Sequence, residues 1–241
     1  SIIVENLSKN YSENKAVENI SFKISENEVV GLLGPNGCGK TTTIAMLLGL
    51  LKPTSGQILI NGISIENNRI ELLHKMNFLS PYIELPKKLT VKENLIVYSK
   101  LYSVKNFKNR IDYLSDTLKL HDFINKKTGE LSSGQKNRVS FAKSLINNPL
   151  ILLLDEPTAS LDPETADFVR TFLENYKKEK KISILLASHN MNEVERLCSS
   201  ILMMKEGKII DKGTPKELIE KHGRKNLEEV FLKLTRTKNE H

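Results

Sequence analysis

The chain has 241 residues, of which 39% are hydrophobic, and its formal net charge is +7. This is enough to bury a core in one large domain, or in a core with an inserted lobe, which excludes an unfolded chain. The longest apolar runs, such as 151–154, are far shorter than the roughly 18–20 residues that cross a bilayer, and no signal peptide is visible, so a soluble protein is expected. The positive charge permits a nucleotide, a nucleic acid or an acidic lipid as partner, but lysines spread along the chain rather than gathered in one arm favour a solvated surface.

The first third of the chain predicts short strands and one helix. "SIIVENL" and "ISFKISENEVVGLL" alternate polar and apolar residues around the turn-forming "SENK" and "SENE". The apolar "EVVGLLG" runs into a glycine-rich turn, after which a helix is predicted at "TTTIAMLLGLL" and a hairpin at "GQILINGISI".

From about Leu72 to Ile146 the sequence predicts a helical lobe, with helical periodicity in "VKENLIVYSKLY" and "FKNRIDYLSDTLKL". "LILLLDEP" and "KISILLASH" are then apolar runs of strand length separated by a helix, the alternation of a parallel sheet covered on both faces. A hairpin turned at Glu206-Gly207 and an amphipathic helix at "LEEVFLKLTRT" close the chain. The core is therefore α/β, interrupted by an α-helical insertion.

A phosphate-binding loop is predicted at "GPNGCGKT", Gly34–Thr41, which matches G-x-x-x-x-G-K-[ST] between an apolar strand and a helix. Its glycines allow backbone N–H groups to wrap the β-phosphate of a nucleotide. Lys40 offers a point charge to the β- and γ-phosphates, and the hydroxyl of Thr41 is a Mg²⁺ ligand.

Candidate catalytic groups follow the two later strands. Asp155 and Glu156 end "ILLLDE", and strand alternation points them in different directions, so one can serve the metal and the other the attacking water. His189 ends "ISILLASH", and parallel strands carry ligands at their carboxyl ends.

A second anion site is predicted at "LSSGQ", Leu131–Gln135. Ser132 and Gln135 fit a capping box at the start of a helix, where free N–H groups favour negative charge.

Together, Gly34–Thr41, "LSSGQ", "ILLLDEP", "SLD" at 160–162 and His189, in this order and spacing, resemble the nucleotide-binding domain of an ABC transporter. The resemblance covers nearly the whole chain. It implies a P-loop NTPase core with an N-terminal antiparallel β subdomain and an inserted α-helical subdomain. As a single ABC ATPase domain over 1–241, the core would comprise 1–80 and 148–220, the helical subdomain 81–147, and the C-terminal helix and tail 221–241.

The resemblance also implies roles for individual residues. Two such domains would face head to tail and sandwich two ATP molecules, so that the signature Leu131, Ser132, Ser133, Gly134 and Gln135 acts on the nucleotide of the partner. ATP would be bound by Tyr11, stacked on adenine, and by Gly34, Pro35, Asn36, Gly37, Cys38, Gly39, Lys40, Thr41 and Thr42.

The metal would be held by Thr41 and, through water, by Asp155. Catalysis would depend on Lys40, on Glu156 polarising water and on His189 at the γ-phosphate. Ser160 and Asp162 of the D-loop would act across the dimer. For Tyr11, a core tyrosine on a strand is the alternative.

The sequence departs from the family at two positions. Ser133 stands where a second glycine is usual, which adds a hydroxyl beside the phosphate. Pro81 stands where a glutamine links magnesium and water to the membrane-facing lobe, and proline has neither a side-chain ligand nor an N–H. We nevertheless expect hydrolysis, with Ser80 or Tyr82 orienting the water that replaces the missing ligand.

The two cysteines, Cys38 and Cys198, have neither disulfide nor metal spacing, which is typical of a reducing cytosol. Because Cys38 lies in the phosphate-binding loop beside Lys40, its thiol pKa is expected to be lowered, which favours a reactive thiolate. A small buried filler is the alternative.

The resemblance implies an ATPase subunit that uses ATP and Mg²⁺, forms a homodimer or heterodimer, and docks on a separate permease at the cytosolic face of the membrane. The final "LEEVFLKLT" is similar to exporter subunits, and an importer is the alternative. A soluble ABC protein acting on ribosomes or DNA usually has two cassettes or a long coiled-coil insertion, so no nucleic-acid partner is expected.

Overall fold

The computed structural model describes residues 1–81, 83–159 and 161–236. Strands within those residues are β1 (Ile2–Tyr11), β2 (Asn14–Ile24), β3 (Val29–Leu33), β4 (Ser55–Ile60), β5 (Ile63–Ser64), β6 (Met76–Leu79), β7 (Ile151–Asp155), β8 (Ser183–Ser188), β9 (Ser200–Lys205) and β10 (Lys208–Gly213). The helices are α1 (Lys40–Leu47), α2 (Arg69–Leu73), α3 (Val91–Leu101), α4 (Phe107–Thr117), α5 (Ser133–Leu145), α6 (Pro163–Glu179), α7 (Met191–Leu197), α8 (Pro215–His222) and α9 (Leu227–Arg236).

The chain divides into two compact units. The first unit comprises residues 1–72 and the described residues from 183 onward, and the second unit comprises residues 73–182. The predicted subdomain boundaries at 80, 147 and 220 remain predictions.

The first unit contains an antiparallel sheet with the strand order β2-β1-β4-β5. Its alternating strands bury one face, which includes Ile2, Val4 and Leu7 of β1. The first predicted turn falls at Ser12 and Glu13, the first half of "SENK", whose last two residues already belong to β2, and the second falls at "SENE" between β2 and β3. The strand predictions for this part of the chain are confirmed.

A mixed sheet in the same unit has the order β10-β9-β3-β8, and β3 pairs in parallel with both β8 and β9. All five residues of β3 are buried, as a strand covered on both faces requires. The β9–β10 hairpin turns at Glu206 (φ 48°) and Gly207 (φ 79°), the predicted position. Two successive residues with positive φ match the right-handed twist of the flanking strands.

The second unit combines helices with the parallel pair β6 and β7. β6, "MNFL", lies in the stretch where the sequence predicts a helical lobe, so that prediction is wrong for this strand. Four residues are too few to show a period, and the strand is formed by its pairing with β7, far along the chain. The helix predictions at 91–101, 107–117 and 163–179 are confirmed.

In residues 1–81, 83–159 and 161–236, no helix has both the length and the apolar character needed to cross a bilayer.

Candidate functional site

The loop between β3 and α1 follows a path that depends on two glycines. A Cβ on Gly34 would overlap the carbonyl oxygen of Met204 and the sulfur of Cys38. Gly39 has φ +107°, and its Cβ would lie 2.5 Å from the Ala16 carbonyl oxygen. Both conditions require a residue without a side chain, so the backbone itself lines the loop.

Lys40, the first residue of α1, is buried, with 6% of its surface exposed. Its Nζ donates to the carbonyl oxygens of Gly34 at 2.7 Å and Pro35 at 3.2 Å. The ammonium is thereby held inside the loop, at the amino end of a helix that also favours an anion. Thr41 is exposed and Thr42 half-buried in the same helical turn, so the Thr41 hydroxyl is accessible to a ligand.

Cys38 is a buried residue of this loop, with 3% of its surface exposed. Burial raises the pKa of its thiol, although the charge of Lys40 acts in the opposite direction. The predicted lowering of this pKa is therefore wrong, because the cost of burying a thiolate exceeds the attraction of the neighbouring ammonium. The Cys38 carbonyl accepts a hydrogen bond from the Gly207 N–H at 3.0 Å, so the β9–β10 turn supports the loop.

His189 and Tyr11 are the other predicted site residues of the first unit. Leu33 pairs with Ser188 in the parallel register of β3 and β8, so Gly34 and His189 leave the sheet at the same edge. His189 is exposed there. Tyr11 ends β1 and is 48% exposed, with the Lys9 ammonium 5.2 Å from its ring centroid. This exposure excludes the core alternative for Tyr11.

The acids lie at the end of β7 in the second unit. Asp155 is the last residue of the strand and is buried. Glu156 has φ 51°, so the backbone turns left-handed immediately after Asp155. Strand alternation was predicted to point the two side chains in different directions. The strand ends at Asp155, however, so the direction of the Glu156 side chain is set by the left-handed turn and not by alternation.

Pro81 lies beside these acids because β6 and β7 pair with Leu79 opposite Leu154. The residues that follow, Ser80 and Pro81, therefore leave the pair at the same edge as Asp155 and Glu156. Pro81 lies in a turn that is closed by a hydrogen bond of 3.3 Å from the Ile83 N–H to the Ser80 carbonyl. Ser80 is buried, whereas Tyr82 lies outside the described residues.

The predicted capping box starts α5. Ser132 Oγ accepts from the Gln135 N–H at 3.3 Å, and Gln135 Oε1 accepts from the Ser132 N–H at 3.1 Å. Ser132 and Ser133 are exposed. They line a cleft together with the basic residues Lys119 and Arg138. A helix start with exposed hydroxyls and nearby cations is suited to an anion.

Asp162 lines the same cleft and caps α6. Its carboxylate accepts from the Thr165 N–H at 2.9 Å and from the Thr165 hydroxyl at 2.7 Å. The hydrogen bond from the backbone of Thr165 is the main cause that lowers the pKa of Asp162. A Cβ on Gly134 would lie 3.0 Å from Thr165 Oγ1, so Thr165 connects the signature to Asp162. The other predicted D-loop residue, Ser160, lies outside the described residues.

Sequence reasoning missed two residues that support these segments, Thr165 and Asn137. Asn137 Nδ2 donates to the Pro157 carbonyl at 2.9 Å, directly beyond Glu156. Asn137 acts through a contact 20 residues away, and Thr165, although it bonds to Asp162 three residues earlier, meets the signature only through the distant Gly134, so no local pattern marks either role.

The first unit thus brings the phosphate-binding loop and His189 to one sheet edge. The second unit brings Asp155, Glu156 and Pro81 to another edge and holds the signature near Asp162. Each unit carries one of the predicted Mg²⁺ ligands, Thr41 in the first and Asp155 in the second, and both side chains offer the oxygen donors that this ion prefers. Within the described ranges, no group of three or more His, Cys, Asp or Glu residues could form a metal cage.

Comparison with known proteins gives consistent matches. A family model described as ABC transporter matches residues 17–159. The ABC transporter ATP-binding protein NatA of Bacillus subtilis (strain 168) is 37% identical over 221 residues, which are 90% of this chain and 89% of that protein. Nod factor export ATP-binding protein I of Burkholderia orbicola (strain AU 1054) is 37% identical over 217 residues, which are 89% of this chain and 71% of that protein.

Comparison with solved structures supports the same family. The dimeric structure of a post-hydrolysis state of an ATP-binding cassette bound to ADP and Pi aligns with a TM-score of 0.81 and 26% identity, covering 89% of this chain and 98% of that one. These similarities confirm the resemblance and the α/β fold class predicted from the sequence.

The buried state of Cys38 predicts slow alkylation. In a Cys198→Ala variant, native Cys38 should react with N-ethylmaleimide at pH 7 at least about tenfold more slowly than in the same protein unfolded in guanidinium, because the thiolate is the reactive form and a raised pKa reduces its fraction. The rate should increase as the pH rises toward that pKa. Mass spectrometry of quenched samples measures both rates, and equal native and unfolded rates would contradict the buried assignment.

Proposed function

The chain belongs to the ABC transporter family as an ATP-binding subunit that hydrolyses ATP to power transport, and from this premise we propose that it drives export through a separate membrane permease. Export is supported by the similarity to Nod factor export ATP-binding protein I, a relative named for export. The proposal places the protein at the cytosolic face of the membrane, bound peripherally to the permease. It assigns residues 81–147 to a helical subdomain, 1–80 and 148–220 to the core, and 221–241 to a C-terminal helix and tail.

The observation that carries the proposed chemistry is the buried ammonium of Lys40, which lies inside the loop between β3 and α1. Gly34 and Gly39 of this loop have no room for a side chain. Backbone N–H groups of this loop and Lys40 bind the phosphates of ATP, while Tyr11 stacks on the adenine. Thr41, and Asp155 through water, would hold Mg²⁺, which would neutralise charge on the phosphates. The bond that is hydrolysed is the phosphoanhydride between the β- and γ-phosphates of ATP.

Glu156 is the proposed general base. Its carboxylate accepts a proton from the water whose oxygen attacks the γ-phosphorus, and the bond to the β,γ-bridging oxygen breaks. His189 donates a hydrogen bond to the γ-phosphate and holds it in line. The buried Asp155 and the left-handed backbone at Glu156 support separate roles for the two acids.

The signature acts on the nucleotide of a second subunit in a head-to-tail dimer, which is a homodimer or a heterodimer. The exposed Ser132 and Ser133 at the start of α5 support this role, because a helix start at the surface can accept a phosphate from another molecule. Asp162 and Ser160 act across the same dimer.

Glu156→Gln should keep ATP binding and lower turnover at least about a hundredfold, because the amide cannot accept the proton of the attacking water. Since the sandwich forms on binding and opens after hydrolysis, this variant should elute as a dimer in gel filtration with ATP and Mg²⁺. Glu179→Gln, an exposed acid at the end of α6, is the matched control and should behave as the wild type. Normal turnover in Glu156→Gln would remove Glu156 from the role of base.

Mixing two inactive variants should restore part of the activity. A dimer of one Lys40→Ala subunit and one Ser132→Arg subunit has one site with an intact lysine and an intact signature, so about half of the wild-type rate per dimer is the upper expectation. The control mixes Lys40→Ala with the double variant Lys40→Ala/Ser132→Arg, which leaves no intact site. If differently tagged subunits co-purify as mixed dimers and phosphate release does not recover, head-to-tail sharing is contradicted.

Pro81→Gln should change the ATPase rate by less than about tenfold, or ~1.4 kcal/mol of barrier, because water can fill the coordination position that a glutamine would occupy. Pro86→Gln, an exposed proline in the same segment, controls for loss of backbone stiffness. A hundredfold gain in phosphate release for Pro81→Gln alone would identify the natural chain as a degenerate subunit.

A further inference from the structure

Glu156 has a backbone conformation that needs support from its neighbours. Its φ of 51° is unfavourable for a residue with a Cβ, and such conformations persist where surrounding contacts fix them. One local contact is the Ala159 N–H, which donates to the Glu156 carbonyl at 3.1 Å. The next residue, Pro157, is buried and has no N–H, so its carbonyl is the remaining backbone group through which another element can hold it.

Asn137 of α5 supplies that contact, with Nδ2 2.9 Å from the Pro157 carbonyl oxygen. The orientation of the amide follows from this bond, because a flipped amide would place two acceptor oxygens against each other. In this orientation Asn137 Oδ1 is buried and has no hydrogen-bond partner among the described residues. A buried oxygen without a partner destabilises a folded protein, so this asparagine is better explained by the donor it aims at the loop than by stability.

We propose that Asn137 is a positioning residue for Glu156: from the second turn of the signature helix, it holds the Pro157 carbonyl and thereby the conformation of the loop that carries the base. The inference rests on the proposed role of Glu156. Its functional consequence is that α5 connects the signature, at its first turn, with the base that follows β7.

The test uses three substitutions in the full-length chain. Asn137→Leu keeps a similar volume and removes the donor, and it also removes the buried unpaired oxygen. Asn137→Asp keeps the shape but sets a carboxylate oxygen against the carbonyl. Asn137→Gln keeps the donor on a side chain one methylene longer. The matched control is Asn147→Leu, because Asn147 Nδ2 donates to the His74 and Met76 carbonyls at 3.0 Å each, away from the loop.

We expect Asn137→Leu and Asn137→Asp to lower kcat at least about tenfold while KM for ATP stays within about threefold, the pattern of an interaction needed for the chemical step. Asn137→Gln should retain at least about a third of kcat. The Tm of Asn137→Leu should stay near that of the wild type, whereas Asn147→Leu should lower Tm with kcat within about twofold, because it removes paired hydrogen bonds outside the site.

Hydrogen–deuterium exchange gives a readout that does not need turnover. Amides of residues 158–162 should exchange faster in Asn137→Leu than in the wild type or in Asn147→Leu, because the loop has lost its contact with α5. Unchanged exchange, or kcat within twofold for both Asn137→Leu and Asn137→Asp, would overturn the proposal. A parallel decrease in kcat, ATP affinity and Tm would assign Asn137 a general structural role. A wild-type chain without ATPase activity would overturn the proposed function, while exchange would still decide whether Asn137 holds the loop.

Discussion

Parallel pairing of short buried strands is the constraint on which the candidate chemistry depends. Every residue of β3 and β7 is buried, so their register is set by packing rather than by polar contacts. In the first unit this register sends Gly34 and His189 out at one edge, and in the second unit it sends Pro81 out beside Glu156. The predicted reactive groups lie at or just beyond the carboxyl ends of these strands, where the core fixes the backbone.

The features that the sequence predicts well are those marked by residues close together in the chain. The phosphate-binding loop, the capping box of Ser132 and Gln135, and the Glu206-Gly207 turn are each recognised from residues within eight positions of one another, although the two glycines of the loop also make room for Met204 and Ala16. Each feature has the residue types that its backbone requires. The loop has glycine where no Cβ fits, the capping box has a serine hydroxyl one turn before a glutamine, and the turn has two residues with positive φ.

The failures have a common physical origin in contacts between distant parts of the chain. β6 becomes a strand through its partner β7, and four residues cannot reveal this by period. Cys38 has a raised pKa because the folded chain excludes water from its thiol, whereas the sequence shows only the neighbouring lysine. The left-handed turn at Glu156 is likewise invisible in the local sequence, because the Asn137 amide that contacts the next residue, Pro157, lies 20 positions earlier in the chain.

The first two turns of α5 contact both ends of the loop that follows β7. At one end Asn137 holds Pro157, and at the other Gly134 packs against Thr165, which donates to Asp162. The Asp162 carboxylate accepts two hydrogen bonds from Thr165, which fix its orientation at the start of α6. In the proposed dimer the signature of one subunit would contact the nucleotide of its partner, while Glu156 would act on the nucleotide of its own subunit. Because α5 contacts both segments, it would give each site a physical route by which occupancy of the other can alter its geometry.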